Sequence, residues 1–437
     1  MITNFLVLRL RQAREFLTSE FSFENTTQEG NLEELFRKSS VFTKHTQRPT
    51  TMIIRKNAFN NIFAVGLIMG LPLPPQSLMS GSKDLSFSAK IWCSILTAIK
   101  TFLFIVSALN IYRVIFTLAS QITFYLFSIC GFINMWIIVR SRKSVILAIR
   151  NICEFSQQLL PHIYIGSKST KLELLLLVFA VTVLVGIQTV FFFEQEWETS
   201  LSSLKISVIE HTPYMNAYVW IVTFSVVMTF NISSATCYLM LLICYNSYCV
   251  LNKIMNFYGL ELKSELNRGI CNHKQMSRYI SLYITITQRV REIDEALGTS
   301  AFFLFVTVIC SFFNSISVVL ANSQSYRTPV VDAYVVWATL TALVTFLLLT
   351  FSGAQVQKGH DNIKQAMTEC SHLVAQLSPN LKTTLTFTLL VENIKGSNIA
   401  VTGWDMFTIR KDLVLTVLGL MMTYGVLMYQ MDALKTE

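Results

Sequence analysis

The chain has 437 residues, of which 52% are hydrophobic and only 14% charged, with a formal net charge of +9. Soluble domains carry about 25% charged residues, so a soluble enzyme or a nucleic-acid binder is excluded, and the basic excess becomes a topology signal to be read loop by loop.

Residues 1–58 form a polar, basic cytosolic leader in which Leu6 and Leu10 alternate with arginines; Arg9, Arg11 and Arg14 interrupt the apolar run and rule out a signal peptide. Residues 59–72 make a short apolar segment, too brief to span, that Pro72, Pro74 and Pro75 stop. It reads as a membrane-entry or interfacial helix. Seven candidate spans follow, near 89–112, 115–139, 172–193, 215–243, 298–321, 333–354 and 411–431. Lys100 lies inside the first, and Arg113 marks the turn into the second. The helical pattern of span four continues to about Tyr258, and before span five Ile286, Val290, Ile293 and Leu297 repeat at steps of 4, 3 and 4, so both helices are predicted to run well past the membrane. Between spans six and seven, residues 355–410 read as a helix near 356–377, a break at Pro379 and a helix near 381–394. The fold class predicted is therefore an all-α membrane protein with seven transmembrane helices and a helical cytoplasmic anchor layer. Residues 89–354 hold spans 1–6, 411–431 form span 7, and 432–437 make an extracellular tail.

Lysine and arginine number nine in the leader, six in 140–171, seven in 244–297 and six in 355–411. The alternate loops and the tail carry Arg113, Lys205, Arg327 and Lys435. The positive-inside rule then puts the N-terminus in the cytosol and the C-terminus outside. That orientation excludes a G-protein-coupled receptor.

Cys93, Cys130, Cys237, Cys244 and Cys310 fall in or beside spans, and Cys153, Cys249, Cys271 and Cys370 in cytosolic segments, so no extracellular disulfide is expected. The six histidines lack metal-ligand spacing, no phosphate-binding or nucleophile motif occurs, and neither a cofactor nor enzymatic activity is expected. Glu194, Glu196, Glu198 and Glu210 make an acidic outer loop: a solvated rim, or a concentrator of cations near a pore mouth.

The last span carries the most specific pattern. Asp412, Thr416, Gly419, Thr423, Leu427 and Gln430 recur at steps of 4, 3, 4, 4 and 3 and share one helix face. A small and polar stripe on a membrane helix must face protein or water. Two readings stand: helix–helix packing, or the lining of a pore.

Thr423-Tyr424, five residues and then Gln430, at the end of the last span, resembles the C-terminal signature of arthropod gustatory receptors: Thr-Tyr, five mostly apolar residues, Gln, Phe. Here Met431 stands where the family has Phe. The inverted seven-span topology is shared with the arthropod odorant receptors. The resemblance implies a ligand-gated, non-selective cation channel, assembled as a homotetramer or a heterotetramer with other gustatory subunits, in the plasma membrane of a sensory neuron and with no need of a G protein. It implies that span 7 lines a central pore, with Gln430 and Met431 at the constriction and Thr423 and Leu427 along the pore face. It further implies a pocket for a small extracellular tastant among spans two to six, where Tyr125, Gln188, Tyr218, Trp220, Phe313, Asn314, Tyr334 and Trp337 are candidates. Two rivals remain: an odorant-receptor-type subunit, and a secondary transporter, which inverted repeats or intramembrane charges would signal.

Overall fold

The computed structural model describes residues 58–73, 86–110, 118–159, 213–267, 273–320, 329–377 and 381–436. The leader, the turn at Arg113, the span at 172–193 with Gln188, and the acidic loop lie outside them. The described chain is almost wholly helical: α1 Ala58–Ile68, α2 Phe87–Asn110, α3 Leu118–Leu159, α4 Pro213–Asn267, α5 His273–Leu320, α6 Pro329–Leu377, α7 Leu381–Gly396 and α8 Asp412–Thr436. A two-residue-per-strand antiparallel hairpin, β1 Thr402–Gly403 and β2 Phe407–Thr408, precedes α8. Among the described residues, four segments are long and apolar enough to cross a bilayer: Phe87–Leu109, Asn231–Asn267, His273–Val319 and Val335–Glu369. Shorter apolar stretches are Phe59–Ile68 and Asp412–Leu427.

The long helices explain the architecture. At 1.5 Å per residue, the 55 residues of α4 reach about 80 Å, far more than the roughly 30 Å hydrocarbon core. The helices α3, α5 and α6 likewise hold 42, 48 and 49 residues, so α5 and α6, like α4, are long enough for a span and an extension beyond it. The predicted span at 333–354 and helix at 356–377 are one unbroken helix, α6. No proline interrupts it, and its inward face continues through Leu349, Val356, Ile363 and Met367, all buried.

Helix α4 is the hub, packing on α1, α2, α3, α5 and α6. The repeat predicted on α5 faces inward as expected: Ile286, Val290, Ile293 and Leu297 are buried, and the same stripe runs on through Ala301, Leu304 and Val308. Two whole tyrosines, Tyr248 and Tyr258, are sealed in this layer. The Tyr258 hydroxyl donates to the Tyr279 carbonyl at 3.2 Å, and its ring lies 6.1 Å and 6.0 Å from those of Tyr279 and Tyr283.

Helix α1 ends before the prolines that were expected to stop it. Gly70 takes φ +76°, its N–H bonds the Leu67 carbonyl at 3.0 Å, and the Leu71 N–H bonds that of Gly66 at 2.8 Å. This is a Schellman cap. A Cβ at Gly70 would also meet Leu96 at 2.6 Å, so glycine is required twice over.

The hairpin was not anticipated from the sequence. Its turn places Trp404 and Asp405 at φ +52° and +56°, a left-handed conformation that side chains with a Cβ resist by about 1–2 kcal/mol each. Neighbouring contacts hold it there. Asp294 of α5 accepts from the Thr402 N–H at 2.7 Å and from its hydroxyl at 2.8 Å, and the Trp404 N–H donates to the Gly298 carbonyl at 3.0 Å. The Trp404 ring lies against Phe302 and Phe303. At the other side, Ile409 presses on α6 so closely that a Cβ on Gly353 would come within 2.7 Å of it. The hairpin thus clamps the start of α8 to both α5 and α6.

Candidate functional site

Helix α8 shows two faces. Val417 is buried, and Leu413, Val414, Met421 and Tyr424 are half-buried against α5 and α6. The rest of the helix is exposed, and the predicted stripe shares that surface with Leu415, Leu418, Leu420, Met422 and Val426. Asp412, Thr416, Gly419, Thr423, Leu427 and Gln430 are all exposed, and a Cβ at Gly419 would have nothing within 4 Å. The packing reading of the stripe therefore does not hold within one chain.

The motif divides between these faces, and helix geometry says why. Thr423 and Gln430 are seven residues apart, two turns, so they share the outward face. Tyr424 is rotated by about 100° from Thr423 and points inward. Its ring stacks on Phe313 of α5 with centroids 4.2 Å apart and planes at 30°, and its hydroxyl shares a 2.9 Å hydrogen bond with Ser317. Tyr424 is thus the contact that fixes the rotation of α8 about its own axis. The Ser317 side chain also donates to the Phe313 carbonyl at 2.8 Å, so Phe313, Ser317 and Tyr424 form one unit. Ser317 carried no sequence signal, because a serine on a membrane helix commonly bonds its own backbone.

On the outward face the hydroxyl protons are already used. Thr423 Oγ1 donates to the Gly419 carbonyl at 2.9 Å and Thr416 Oγ1 to that of Asp412 at 3.3 Å. What these hydroxyls present outward is oxygen lone pairs, which suit a cation or water.

The ligand-pocket candidates are scattered over α3, α4, α5 and α6. The Phe313 ring is committed to Tyr424, with Asn314 beside it and half-buried. The Tyr125 hydroxyl donates to the Ala108 carbonyl of α2, tying the first two spans together. Trp337 is half-buried on α6, one turn before Thr341, which bonds its carbonyl at 2.9 Å. Tyr218, Trp220 and Tyr334 lie on α4 and α6, and Met431 on α8; the placement of these four side chains is outside the described residues.

Farther along α6, away from the α8 contact, lies a buried histidine. His360 of α6 is 1% exposed; its Nε2 lies 3.2 Å from the Ser397 carbonyl, and its ring stacks on Tyr283 at 6.3 Å. Tyr283 and Ser397 are themselves hydrogen-bonded through their hydroxyls. Burial holds the imidazole below its ordinary pKa, partly opposed by the bond to Ser397. The cysteines at 93, 130, 153, 237, 244, 249 and 310 form no disulfide.

No curated protein matches the chain significantly. Its fold is similar to that of the insect olfactory receptor OR5 from Machilis hrabei in complex with eugenol, with a TM-score of 0.58 at 12% identity, over 85% of this chain and 97% of that one. A second structure of the same receptor gives a TM-score of 0.53 at the same identity and coverage. Residues 60–435 match the family model described as 7tm Chemosensory receptor. The match runs from α1 to the last turn of α8 and takes in the whole Thr423–Gln430 motif, and the chain belongs to the 7tm chemosensory receptor family.

Proposed function

We propose that this chemosensory receptor is a gustatory-type, ligand-gated, non-selective cation channel. It sits in the plasma membrane of a sensory neuron, with its N-terminus cytosolic and its C-terminus outside. The observation that supports the reading is that the polar stripe from Asp412 to Gln430 lies on the exposed part of α8, with Leu415, Met422 and Val426, and not on the side packed against α5 and α6. One helix cannot enclose water, but several copies around an axis can. We infer a tetramer, of this chain alone or with related subunits, in which α8 lines the pore, Thr423 and Leu427 face the ion path, and Gln430 with Met431 forms the outer constriction. Lone pairs turned outward by Thr416 and Thr423 favour cations over anions.

A small tastant would bind on the outer side among spans two to six and favour the open state, since equal affinity for both states shifts nothing. The α5–α8 contact at Phe313, Ser317 and Tyr424 is the lever, because a movement of α5 there turns α8 directly. The runner-up is an olfactory-type subunit; its support is the fold shared with the eugenol-bound receptor.

The test is whole-cell current from this chain expressed alone, with sugars, bitter compounds and eugenol applied outside, in the wild type and in Gln430→Ala. A ligand-evoked cation current whose conductance or selectivity changes with the substitution supports the channel and its pore assignment. An unchanged current removes Gln430 from the pore. Uptake without steady current points to a transporter, and the active ligand separates taste from smell.

A further inference from the structure

Several basic residues are neutralised within the chain. Arg150 pairs with Glu154 at 2.6 Å, Lys263 with Glu369 at 3.1 Å and Arg289 with Glu292 at 2.7 Å. Four others differ. Lys90 of α2 and Arg140, Arg142 and Lys143 of α3 have no ion-pair partner among the described residues. No Asp or Glu occurs between residues 85 and 153.

The fold brings these four cations to one level. The Tyr125 hydroxyl meets the Ala108 carbonyl, and the Phe132 ring stacks on Phe104 at 4.5 Å, so α2 and α3 run antiparallel side by side. Lys90 lies 14 residues from Phe104, about 21 Å along its helix, and Lys143 lies 11 residues from Phe132, about 17 Å. The two lysines therefore differ in depth by only about 4 Å. Arg142 reaches close enough to α2 to act electrostatically on Cys93, one turn from Lys90. Lys90, Arg140 and Lys143 are exposed and Arg142 is half-buried. Like charges gathered without a counter-charge make a positive field that attracts an anion from outside the chain.

The surface beside them is apolar. On α3, Trp136, Arg140, Lys143 and Leu147 recur at steps of 4, 3 and 4, share one face and are all exposed. On α2, Ile91, Trp92, Ile95 and Ile99 are exposed within the candidate span Phe87–Leu109, whose most apolar window is only 17% buried. An apolar surface fringed by cations at one end matches a phospholipid, with acyl chains against Trp136, Ile95 and Ile99 and phosphate at Lys90, Arg140 and Lys143. A soluble phosphate would leave the apolar part uncovered.

We propose that the α2–α3 surface at Lys90, Arg140, Arg142 and Lys143 binds the headgroup of an anionic phospholipid in preference to a zwitterionic one. Under the orientation proposed above this is the cytosolic leaflet; the binding itself holds in either orientation and without channel activity.

The experiment titrates the purified full-length chain in detergent with dioleoylphosphatidylserine or dioleoylphosphatidylcholine and counts bound lipid by native mass spectrometry. The phosphatidylserine adduct is expected to be at least about tenfold tighter. Each exposed cation beside an anionic headgroup contributes roughly fivefold, so Lys90→Gln, Arg140→Gln and Lys143→Gln should each weaken that adduct by this factor. The triple variant should bind both lipids alike. Arg150→Gln, whose cation already faces Glu154, should leave the preference unchanged. Lys90, Arg140 and Lys143 are exposed, so these substitutions leave the core untouched. Equal binding of both lipids by the wild type, a preference that survives the triple variant, or a loss in Arg150→Gln as large as that in Lys143→Gln overturns the proposal. So does displacement by an equal concentration of glycerophosphoserine, the same headgroup without acyl chains, which would mark a site for soluble phosphate.

Discussion

Helix α5 carries two very different interfaces. Along its N-terminal half, Tyr283, Ile286, Val290, Ile293 and Leu297 are buried among α3, α4, α6 and α7, and Asp294 ties down the hairpin. Near its C-terminal end it meets α8 through a ring stack and a shared hydrogen bond at Phe313, Ser317 and Tyr424, beside the smaller apolar contact made by Leu413, Val414, Val417 and Met421. The first interface buries many apolar side chains at once, each worth about 1.5–3 kcal/mol. The second can be broken at small cost. The division sets a densely packed base against a terminal helix that is clamped at its start and held beyond it by fewer buried side chains.

The comparison is broken most strongly at the base. Tyr258→Ala removes a fully buried ring and its hydrogen bond to Tyr279. The expected loss is about 3–5 kcal/mol, read as a large drop in melting temperature and poor recovery of folded protein. If Tyr424→Ala proved equally damaging, the two interfaces would not differ as described.

Next in size is the clamp. Asp294→Asn removes one of the two acceptor oxygens that grip Thr402 and supplies an amide where an acceptor is needed. The expected cost is about 1–3 kcal/mol. The hairpin's left-handed turn relaxes when its grip weakens, so faster amide exchange should be confined to residues 400–411 and the first turn of α8. Exchange that instead spreads evenly over α5 would mean that the hairpin is not a separate unit.

The histidine in the base supplies a pH test. The neutral ring is favoured at His360 because burial opposes its charge; Lys364 opposes it further, Asp361 offsets part of this, and Tyr283 stacks on the ring. When Nε2–H donates to Ser397, Nδ1 is left buried with no partner, and a proton there would find no acceptor. The folded pKa lies below the ordinary value of about 6.5. Below that value the unfolded chain binds more protons, so the stabilisation present above it is lost as pH falls through and beneath it. The melting temperature of the wild type should therefore fall more between pH 7 and 5 than that of His360→Gln. Parallel pH curves would count against a neutral buried ring.

How much of this was legible follows from which forces are local. The α5 repeat is periodic, and periodicity alone put Ile286, Val290, Ile293 and Leu297 on the buried face; the α8 stripe is periodic too, and its residues share the exposed surface of that helix. The motif's division, Thr423 and Gln430 outward with Tyr424 inward, follows from two helical turns. The hairpin had little signal, because Trp404 is a poor turn residue beside the turn-former Asp405, and α5 and its neighbours hold it left-handed. The end of α1 was misplaced because Gly70 and Lys100 cap it before the prolines can act. Ser317 was invisible for a related reason: its partner Tyr424 is a tertiary fact, and sequence shows only that a hydroxyl needs one.

The smallest expected effect separates the free chain from its assembly. Gly419 lies mid-helix on the exposed face of α8 and has no neighbour within 4 Å of a Cβ. In an isolated subunit, Gly419→Ala should stabilise the helix by about 0.8–1 kcal/mol, because alanine loses less backbone entropy on folding. If α8 lines an open, watery pore, the same gain should persist in the assembled receptor, with conduction little changed. If instead the stripe packs against a neighbouring α8, the added methyl must push two helices apart, since small residues at such contacts permit close approach. The melting temperature of detergent-separated subunits should then rise while that of the intact oligomer falls. Measuring both on the same variant distinguishes a face that meets water from a face that meets a partner, the question the exposed stripe raises.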